Sequence, residues 1–398
     1  ERRGERAEGR SSCILEKRSE TLAMIDKPVL RPKPSVRSGQ WRQQSMCERA
    51  LMFRSLFICL LLLSPLLSCD GARGSNDHGI MQGRYDLSWE SPGNSSRDSM
   101  PIGNGDFAAN VWTEKTSGDV VVLLAKSNSW SEEARLLKLG ELRVSLYPRQ
   151  ELGEGSWFSQ KLHLSNASIS ISTRDVKVCV WIHALTNRLE VSVSSQRKTK
   201  VRAALRIWRN ETRKFRRGEE GGAYGCNCRE HVLRPDVIHE DDGDATVLWY
   251  HRNGNETCYV QGLALEGIVA AEDPLRYLTS GGSLEGTSSS GSTGISFVKR
   301  SAYMLESAVA ANEHKVVVTA VTSRAEEVEQ WLEEVDGLRR RELSTTEHRR
   351  WWKHFWSSSF IDIHEAHEDG KPMGDALAIS RAFALERFMM AAGGRGEQ

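Results

Sequence analysis

The sequence has almost no charge of one sign to spare: 54 basic side chains against 53 acidic ones leave a formal charge of +1 over 398 residues. Residues 1–51 hold 12 of the basic and 7 of the acidic groups, so the remainder carries 42 against 46. A basic footprint for nucleic acid is therefore missing, and no nucleic-acid partner is expected. Long apolar runs are missing too. The longest, Leu56 to Ser68, is thirteen residues without a charge, about 20 Å of helix where roughly 30 Å of hydrocarbon must be crossed. Cysteine is sparse: four of the eight (13, 47, 59 and 69) precede residue 70, leaving Cys179, Cys226, Cys228 and Cys258. Cys226-Asn-Cys228 has the wrong spacing for a zinc knuckle and no second pair at ligand spacing accompanies it, so neither a metal nor a cofactor is expected. A disulfide from Cys226 or Cys228 to Cys258 is the preferred reading. With 39% hydrophobic and 27% charged side chains, the composition excludes a coiled coil, a collagen, a wholly disordered chain and a polytopic membrane protein.

What is present is length enough for two domains, and twelve tryptophans. Exposed Trp is a common means of gripping sugar rings, but most Trp is core, so composition only hints at carbohydrate. The chain begins at Glu1 rather than Met, as expected of a fragment or of a translation begun too early. Residues 1–51 are Arg-rich, dotted with proline and without period, and read as a disordered or untranslated leader. Residues 52–69 have the form of a signal peptide, with Arg54, the apolar run and small residues before Cys69. Leu66-Leu67-Ser68-Cys69 equally fits a lipoprotein signal in which Cys69 is lipidated. Either reading places the rest in a secreted, periplasmic or cell-surface setting, with membrane contact only through the signal or a lipid anchor. Asn94, Asn166, Asn210 and Asn255 stand in Asn-x-Ser/Thr acceptors, compatible with secretion.

From 85 to 322 the pattern is period-two and β-rich, alternating in Ala167-Ser-Ile-Ser-Ile-Ser and Leu189-Glu-Val-Ser-Val, with apolar β-branched runs such as Asp119-Val-Val-Val-Leu-Leu and Lys315-Val-Val-Val-Thr-Ala-Val. No helical pattern alternates with these segments, so the fold class is mainly β, a large antiparallel sandwich of more than a dozen strands. Lys214 to Gly222 reads as a charged glycine loop, and Thr279 to Gly294, almost pure Ser, Gly and Thr, as a flexible surface loop. At Ser323 the period changes. Ser323-Arg-Ala-Glu326 has the form of a capping box, and Val328, Trp331, Leu332 and Val335 follow at helical spacing. Residues 323–372 thus read as a helical linker, with a second helix from about Thr345 carrying Trp351, Trp352, Phe355 and Trp356. That cluster suits a buried stripe better than a sugar platform. Residues 373–392 predict a third helix stopped by Gly393-Gly394, which opens a further, truncated helical domain over 373–398.

Four segments carry a resemblance: Met100 to Trp112, around Pro101-Ile-Gly-Asn-Gly105; Lys126-Ser-Asn-Ser-Trp130 running to Gly140; Trp249-Tyr-His-Arg-Asn253 with Asp273-Pro-Leu; and Trp351 to Phe360 with Arg387 onward. Together they resemble a family of unknown function related to the inverting α-L-fucosidases and α-L-galactosidases. The resemblance implies a β-super-sandwich, a helical linker and the start of an (α/α)6 barrel of the six-hairpin type. It also implies a glycoside-hydrolase-like protein whose Glu acid and Asp-activated water belong to the barrel, beyond this chain, so that no catalytic residue is assigned and the piece itself is expected to be inactive. Asp106 departs from the Arg or Lys those enzymes carry after Gly-Asn-Gly. A non-catalytic carbohydrate-binding or cell-surface structural protein is the alternative, and a polysaccharide lyase a third.

Candidate substrate-binding residues follow from the same segments. Asn104 and Asp106 can meet a sugar hydroxyl or close a tight turn; Lys126 and Trp130 can present an ammonium and a ring or end an edge strand; His251, Arg252 and Asn253 can line a cleft or pin a turn. Arg395, just past the last helix, is the best single candidate for a barrel mouth. Glu132-Glu133 and Asp241-Asp242 read as solvated surface, since neighbours on a strand face opposite ways.

Overall fold

The structure, a computed structural model, describes residues 80, 83–150, 152–153, 155–214, 232–239, 245–255, 257–269, 272–288, 297–363 and 374–395. The expected leader, the signal with Cys69, Cys226, Cys228, Asp241 and Asp242 lie outside them. The described residues form seventeen strands: β1 (Leu87–Trp89), β2 (Met100–Gly103), β3 (Phe107–Thr113), β4 (Val120–Trp130), β5 (Leu136–Tyr147), β6 (Phe158–His163), β7 (Ser168–Thr173), β8 (Val176–Ile182), β9 (Arg188–Arg206), β10 (Arg213–Lys214), β11 (Val232–Leu233), β12 (Val237–His239), β13 (Thr246–Arg252), β14 (Leu278–Ser288), β15 (Phe297–Ser301), β16 (Met304–Ser307) and β17 (Ala311–Arg324). Four α-helices accompany them, α1 (Cys258–Leu265), α2 (Val328–Arg339), α3 (Thr345–Ser358) and α4 (Gly374–Gly393).

The expected antiparallel sandwich is what forms. One layer runs β1-β6-β7-β8-β9-β17-β14-β13-β12; the other runs β2-β3-β4-β5 and continues through β9 to β16 and β15. The long strand β9 belongs to both. Its residues 188–195 pair with β8 and β17, while residues 200–206 pair with β5 and β16. The crossing falls at Gln196-Arg197-Lys198, where three successive exposed residues break the alternation. Between the layers lie the inward residues that period two predicted: Val120, Val122 and Leu124; Leu142, Val144 and Leu146; Val178, Val180 and Ile182; Val191 and Val193. Burying each is worth about 1.5–3 kcal/mol, which is why the register does not slip.

Two expectations fail. Residues 279–288 are no surface loop but most of β14, a central strand between β13 and β17. Glycine there allows close approach: a Cβ on Gly281 would fall on the Trp249 carbonyl, and one on Gly286 would lie 2.5 Å from the Phe297 ring. Composition alone reads such a stretch as flexible because it carries no apolar pattern, whereas here the neighbouring backbones supply the packing. Likewise Ser323 caps no helix. Ser323 and Arg324 pair with Thr279 and Leu278 and finish β17, so ladder hydrogen bonds outcompete the local cap; α2 starts at Val328.

The remaining helices match their patterns. Trp331 and Val335 bury against Leu248, Tyr250 and Val321. Ser344 caps α3 by accepting from the Glu347 N–H at 3.2 Å, and Trp352 and Trp356 enter the main core. In α4 the buried residues Ala376, Ser380, Ala384, Phe388 and Ala392 recur every fourth position. Small side chains at that spacing let the helix lie close on β2 and β3, while Ile379, Met389 and Met390 stay exposed.

Candidate functional site

The Gly103-Asn104-Gly105-Asp106 turn of the β2–β3 hairpin is where sandwich, linker and last helix meet. Asn104 Oδ1 accepts from the N–H groups of Asp106 (3.1 Å) and Phe107 (2.8 Å), closing an Asx turn. Its amide nitrogen faces the β8–β9 connection, with the His183 carbonyl at 3.1 Å, the Thr186 carbonyl at 3.0 Å and Asn187 Oδ1 at 3.1 Å. Asn104 is buried and acts as a turn anchor. Gly105 has φ +90°, a conformation that suits glycine, and its N–H donates to the Ala392 carbonyl of α4 at 2.9 Å. A Cβ there would sit 2.5 Å from Arg395 Cγ, and one on Gly103 would strike the Ala392 carbonyl. Both glycines therefore serve the seating of the last helix.

Arg395 locks that seat. Its Nη1 donates to the Ala184 carbonyl at 2.6 Å and its Nε to Ala391 at 3.0 Å. The guanidinium lies 3.6 Å from the centroid of the Trp351 ring, Trp351 stacks on Phe355 at 5.6 Å and 7°, and Arg387 lies 4.5 Å from the Phe355 ring. This ladder of arginine, two rings and arginine pins α3 to α4. Of the aromatic cluster of α3, Trp352 and Trp356 are buried in the core as expected, while Trp351 and Phe355 are half-buried.

Asp106 is held by Lys126 Nζ at 2.6 and 2.8 Å, Ser127 Oγ at 2.6 Å and Asn187 Nδ2 at 2.7 Å. Burial would raise its pKa, but these donors outweigh it and hold the carboxyl below its ordinary range. For Lys126, itself buried, desolvation outweighs Asp106 and pulls the ammonium down. A cavity of about 780 Å³ opens beside this pair, lined by Asp106, Leu185 and Asn187 from the sandwich, Arg341 from the linker, and Arg387 and Met390 from α4, among others. Asn104, Asp106, Lys126 and Arg395 are thus brought together, and the first, second and fourth line the cavity.

The other four candidates gather elsewhere. His251, at the end of β13, is buried with Nε2 3.0 Å from Glu132 Oε2 and Nδ1 3.2 Å from Asp236 Oδ1. Arg209 pairs with Asp236 at 2.7 Å, and Arg234 approaches Glu132 at 3.7 Å. Burial would lower the histidine, but the two carboxylates outweigh it and raise its pKa; Glu132 is correspondingly lowered despite its own burial. The expectation that Glu132 and Glu133 are solvated surface is wrong: both are buried, Glu132 because His251 and Arg234 compensate its charge. Arg252 donates to Thr279 Oγ1 at 2.7 Å and to the Glu326 carbonyl at 2.5 Å; Asn253 donates to the carbonyls of Trp130 (3.0 Å) and Leu275 (2.9 Å). Trp130 packs against Ala134, Leu275 and Leu278. These four tie strand ends together and line neither the cavity beside Asp106 nor the cleft of about 900 Å³ beside Tyr277.

Residues the sequence did not mark include Asn187, Arg341, Arg387, Asp236 and the pair His183–His348. Asn187 meets Asp106 across 81 positions, a juxtaposition that no local spacing signals. Cys258 is disulfide-bonded, while its expected partners lie outside the described residues. Asn94, Asn210 and Asn255 are exposed; Asn166 is half-buried, its carbonyl oxygen accepting from His348 Nε2 at 2.6 Å. Among the described residues no group of three His, Cys, Asp or Glu is placed to hold a metal, and no helix is long and apolar enough to cross a membrane.

Residues 88–361, which run from β1 through the two linker helices, match the N-terminal domain of DUF5703, a domain of unknown function. The chain belongs to the DUF5703 N-terminal family. The search of curated proteins finds no match. Among solved structures, a protein assigned as a kojibiose phosphorylase from the human microbiome aligns with a TM-score of 0.43 and 10% identity, over 78% of this chain and 41% of that one. So distant a likeness does not bear on activity, and this DUF5703 chain spans less than half of that structure's length. The cavity of the DUF5703 chain is lined both from inside the match, by Asp106, Asn187 and Arg341, and from beyond it, by Arg387 and Arg395 of the last helix and its end.

Proposed function

We propose that this chain is the sandwich-bearing part of a secreted or cell-surface glycoside-hydrolase-like protein, and that the cavity beside Asp106 binds a glycan. The observation that carries the reading is the convergence of a polar turn, two helices and an aromatic ladder on one open cavity of about 780 Å³, within the roughly 300–1,000 Å³ of ordinary ligand sites. Its lining suits a sugar: hydroxyl partners at Asp106 and Asn187, and apolar surface at Leu185 and Met390 for the C–H faces. The disulfide at Cys258 supports an oxidising compartment. The relation to the fucosidases rests on the Gly-Asn-Gly segment and its neighbours.

Binding rather than cleavage is assigned to the chain by itself. Inverting hydrolysis needs two carboxyl groups about 6.5–9.5 Å apart, and retaining hydrolysis about 5–5.5 Å. Among the described residues the cavity lining contains one carboxylate, Asp106, already committed to Lys126. Hydrolysis of the glycosidic bond is assigned instead to the barrel carboxylates that the resemblance to the fucosidases implies. A glycan array probed with the 398-residue chain, followed by a reducing-end assay on every ligand bound, tests both parts. Binding that Asp106→Ala weakens at least tenfold, without release of reducing ends, is the expected result. An array with no ligand, or a variant that binds unchanged, refutes the site; reducing ends released by the chain alone refute the division of labour.

A further inference from the structure

The charge lining the cavity is one-sided although the chain as a whole is nearly neutral. Arg341, Arg387 and Arg395 line it, and the one carboxylate among its described lining residues, Asp106, is matched by Lys126. Arg387 meets only neutral acceptors among the described residues: the Phe355 carbonyl at 3.0 Å and the hydroxyls of Ser359 at 2.7 Å and Ser358 at 3.2 Å. Arg341 is exposed at the rim, and none of the ion pairs among the described residues includes it. Its chain neighbours behave differently, since Arg339 pairs with Glu285 and Asp336, and Arg340 with Asp336. The nearby acids Glu342 and Glu347 do not line the cavity. Two guanidinium groups with no carboxylate partner among the described residues, one from the linker and one from α4, give an open cavity a standing positive potential that neutral hydroxyls would not use. The exposed apolar surface of Leu185 and Met390 in the same lining suits a saccharide ring better than a bare inorganic anion.

From this we infer that the cavity takes an acidic oligosaccharide, one bearing carboxylate or sulfate groups, with Arg341 and Arg387 as the residues that set the preference for charge. The inference rests on the carbohydrate reading above and names its substrate class. Arg341 is the variant of choice because it is exposed and outside the ladder; Arg387 also holds α3 to α4.

An array that pairs carboxylated and sulfated oligosaccharides with their carboxyl-reduced and desulfated counterparts tests it, using the whole chain, Arg341→Glu and Trp157→Ala. Trp157 is 58% exposed in a separate cleft and reports binding elsewhere. The expected result is an acidic ligand bound at least tenfold more tightly than its neutral counterpart at low salt. That preference falls at 500 mM salt, is lost in Arg341→Glu and is unchanged in Trp157→Ala, while Arg341→Glu keeps the melting temperature of the parent. Neutral counterparts bound equally well overturn the acidic preference and leave the carbohydrate reading standing. Loss in Trp157→Ala with Arg341→Glu unaffected overturns the assignment to this cavity. Inorganic sulfate or phosphate binding as tightly as the oligosaccharide reduces the site to a simple anion site, and no binding at all overturns both readings.

Discussion

Acid should loosen the joint between the sandwich and α3, and His348 gives the size of the effect. Its Nε2 donates to the Asn166 carbonyl at 2.6 Å, while Nδ1 is buried with no hydrogen-bond partner. Protonation would place a second N–H at that position. Burial is the main cause that lowers the imidazole to about 4, opposed by the Asn166 carbonyl and reinforced by His183, 6.2 Å away between ring centroids, and by Arg349 and Arg395. Glu347 faces this pair, with a carboxylate oxygen 4.0 Å from His183. The unfolded chain takes up its proton near pH 6.5 and the folded chain only near 4, so stability is complete above the ordinary histidine range and is lost as pH falls. Full titration corresponds to about 3 kcal/mol, of which about 2 kcal/mol is lost by pH 5. Urea unfolding followed by tryptophan fluorescence at pH 7 and pH 5, on the parent chain and on His348→Gln, measures it. Glutamine keeps a donor for Asn166 and cannot titrate, so the variant should lose about 2 kcal/mol less than the parent across that interval, with the denaturant slope unchanged. Equal losses in the two proteins, within about 0.5 kcal/mol, would refute the assignment of the acid sensitivity to His348.

Other outcomes follow from the same geometry. Gly105→Ala, at φ +90° and against Arg395, should cost about 1–2 kcal/mol and speed tryptic cleavage after Arg395; an unchanged digestion rate would argue against the seat. His251→Ala leaves Glu132 and Asp236 buried beside an empty site and should cost about 3–5 kcal/mol, with part regained when Glu132→Gln is added; additive losses in chemical unfolding would show that the two do not act as a pair. Gly281→Ala meets the backbone of β13, whereas a Cβ on Gly153 meets nothing within 4 Å. The first should lower the melting temperature by several degrees and the second by none, and equal melting temperatures would reject the close-packed account of β14.

Period-two alternation located the sandwich, because inward Val and Ile on β4, β5, β8 and β9 reveal their face without knowing their partners. The stripe of α3 and the small-residue face of α4 were legible for the same reason: helical spacing puts every fourth residue on one side. Ser344 could have been marked as a cap, since its partner is three residues on. Where local and distant interactions compete, the sequence misleads. Ser323 looks like a cap until Thr279 pairs with it, and 279–288 look loose until two strands close on their glycines.

The site was legible only as residue types. Gly103, Asn104 and Gly105 stand out in the sequence as a turn, but that both glycines make room for Ala392 and Arg395, nearly three hundred positions away, is set by how α4 packs on β2. Lys126 and Asp106 became an ion pair, and Glu132 and His251 a buried one, because strand register brought opposite charges together where burial demanded compensation. By itself the sequence determined the fold class, the three C-terminal helices and the turn, whose causes lie within a few residues of each other, but not the short α1 between β13 and β14. The tertiary structure alone decided which candidates share a cavity, and left Arg341 and Arg387 without a carboxylate among the described residues, because side chains far apart in the chain compensate one another only after the layers and helices have packed.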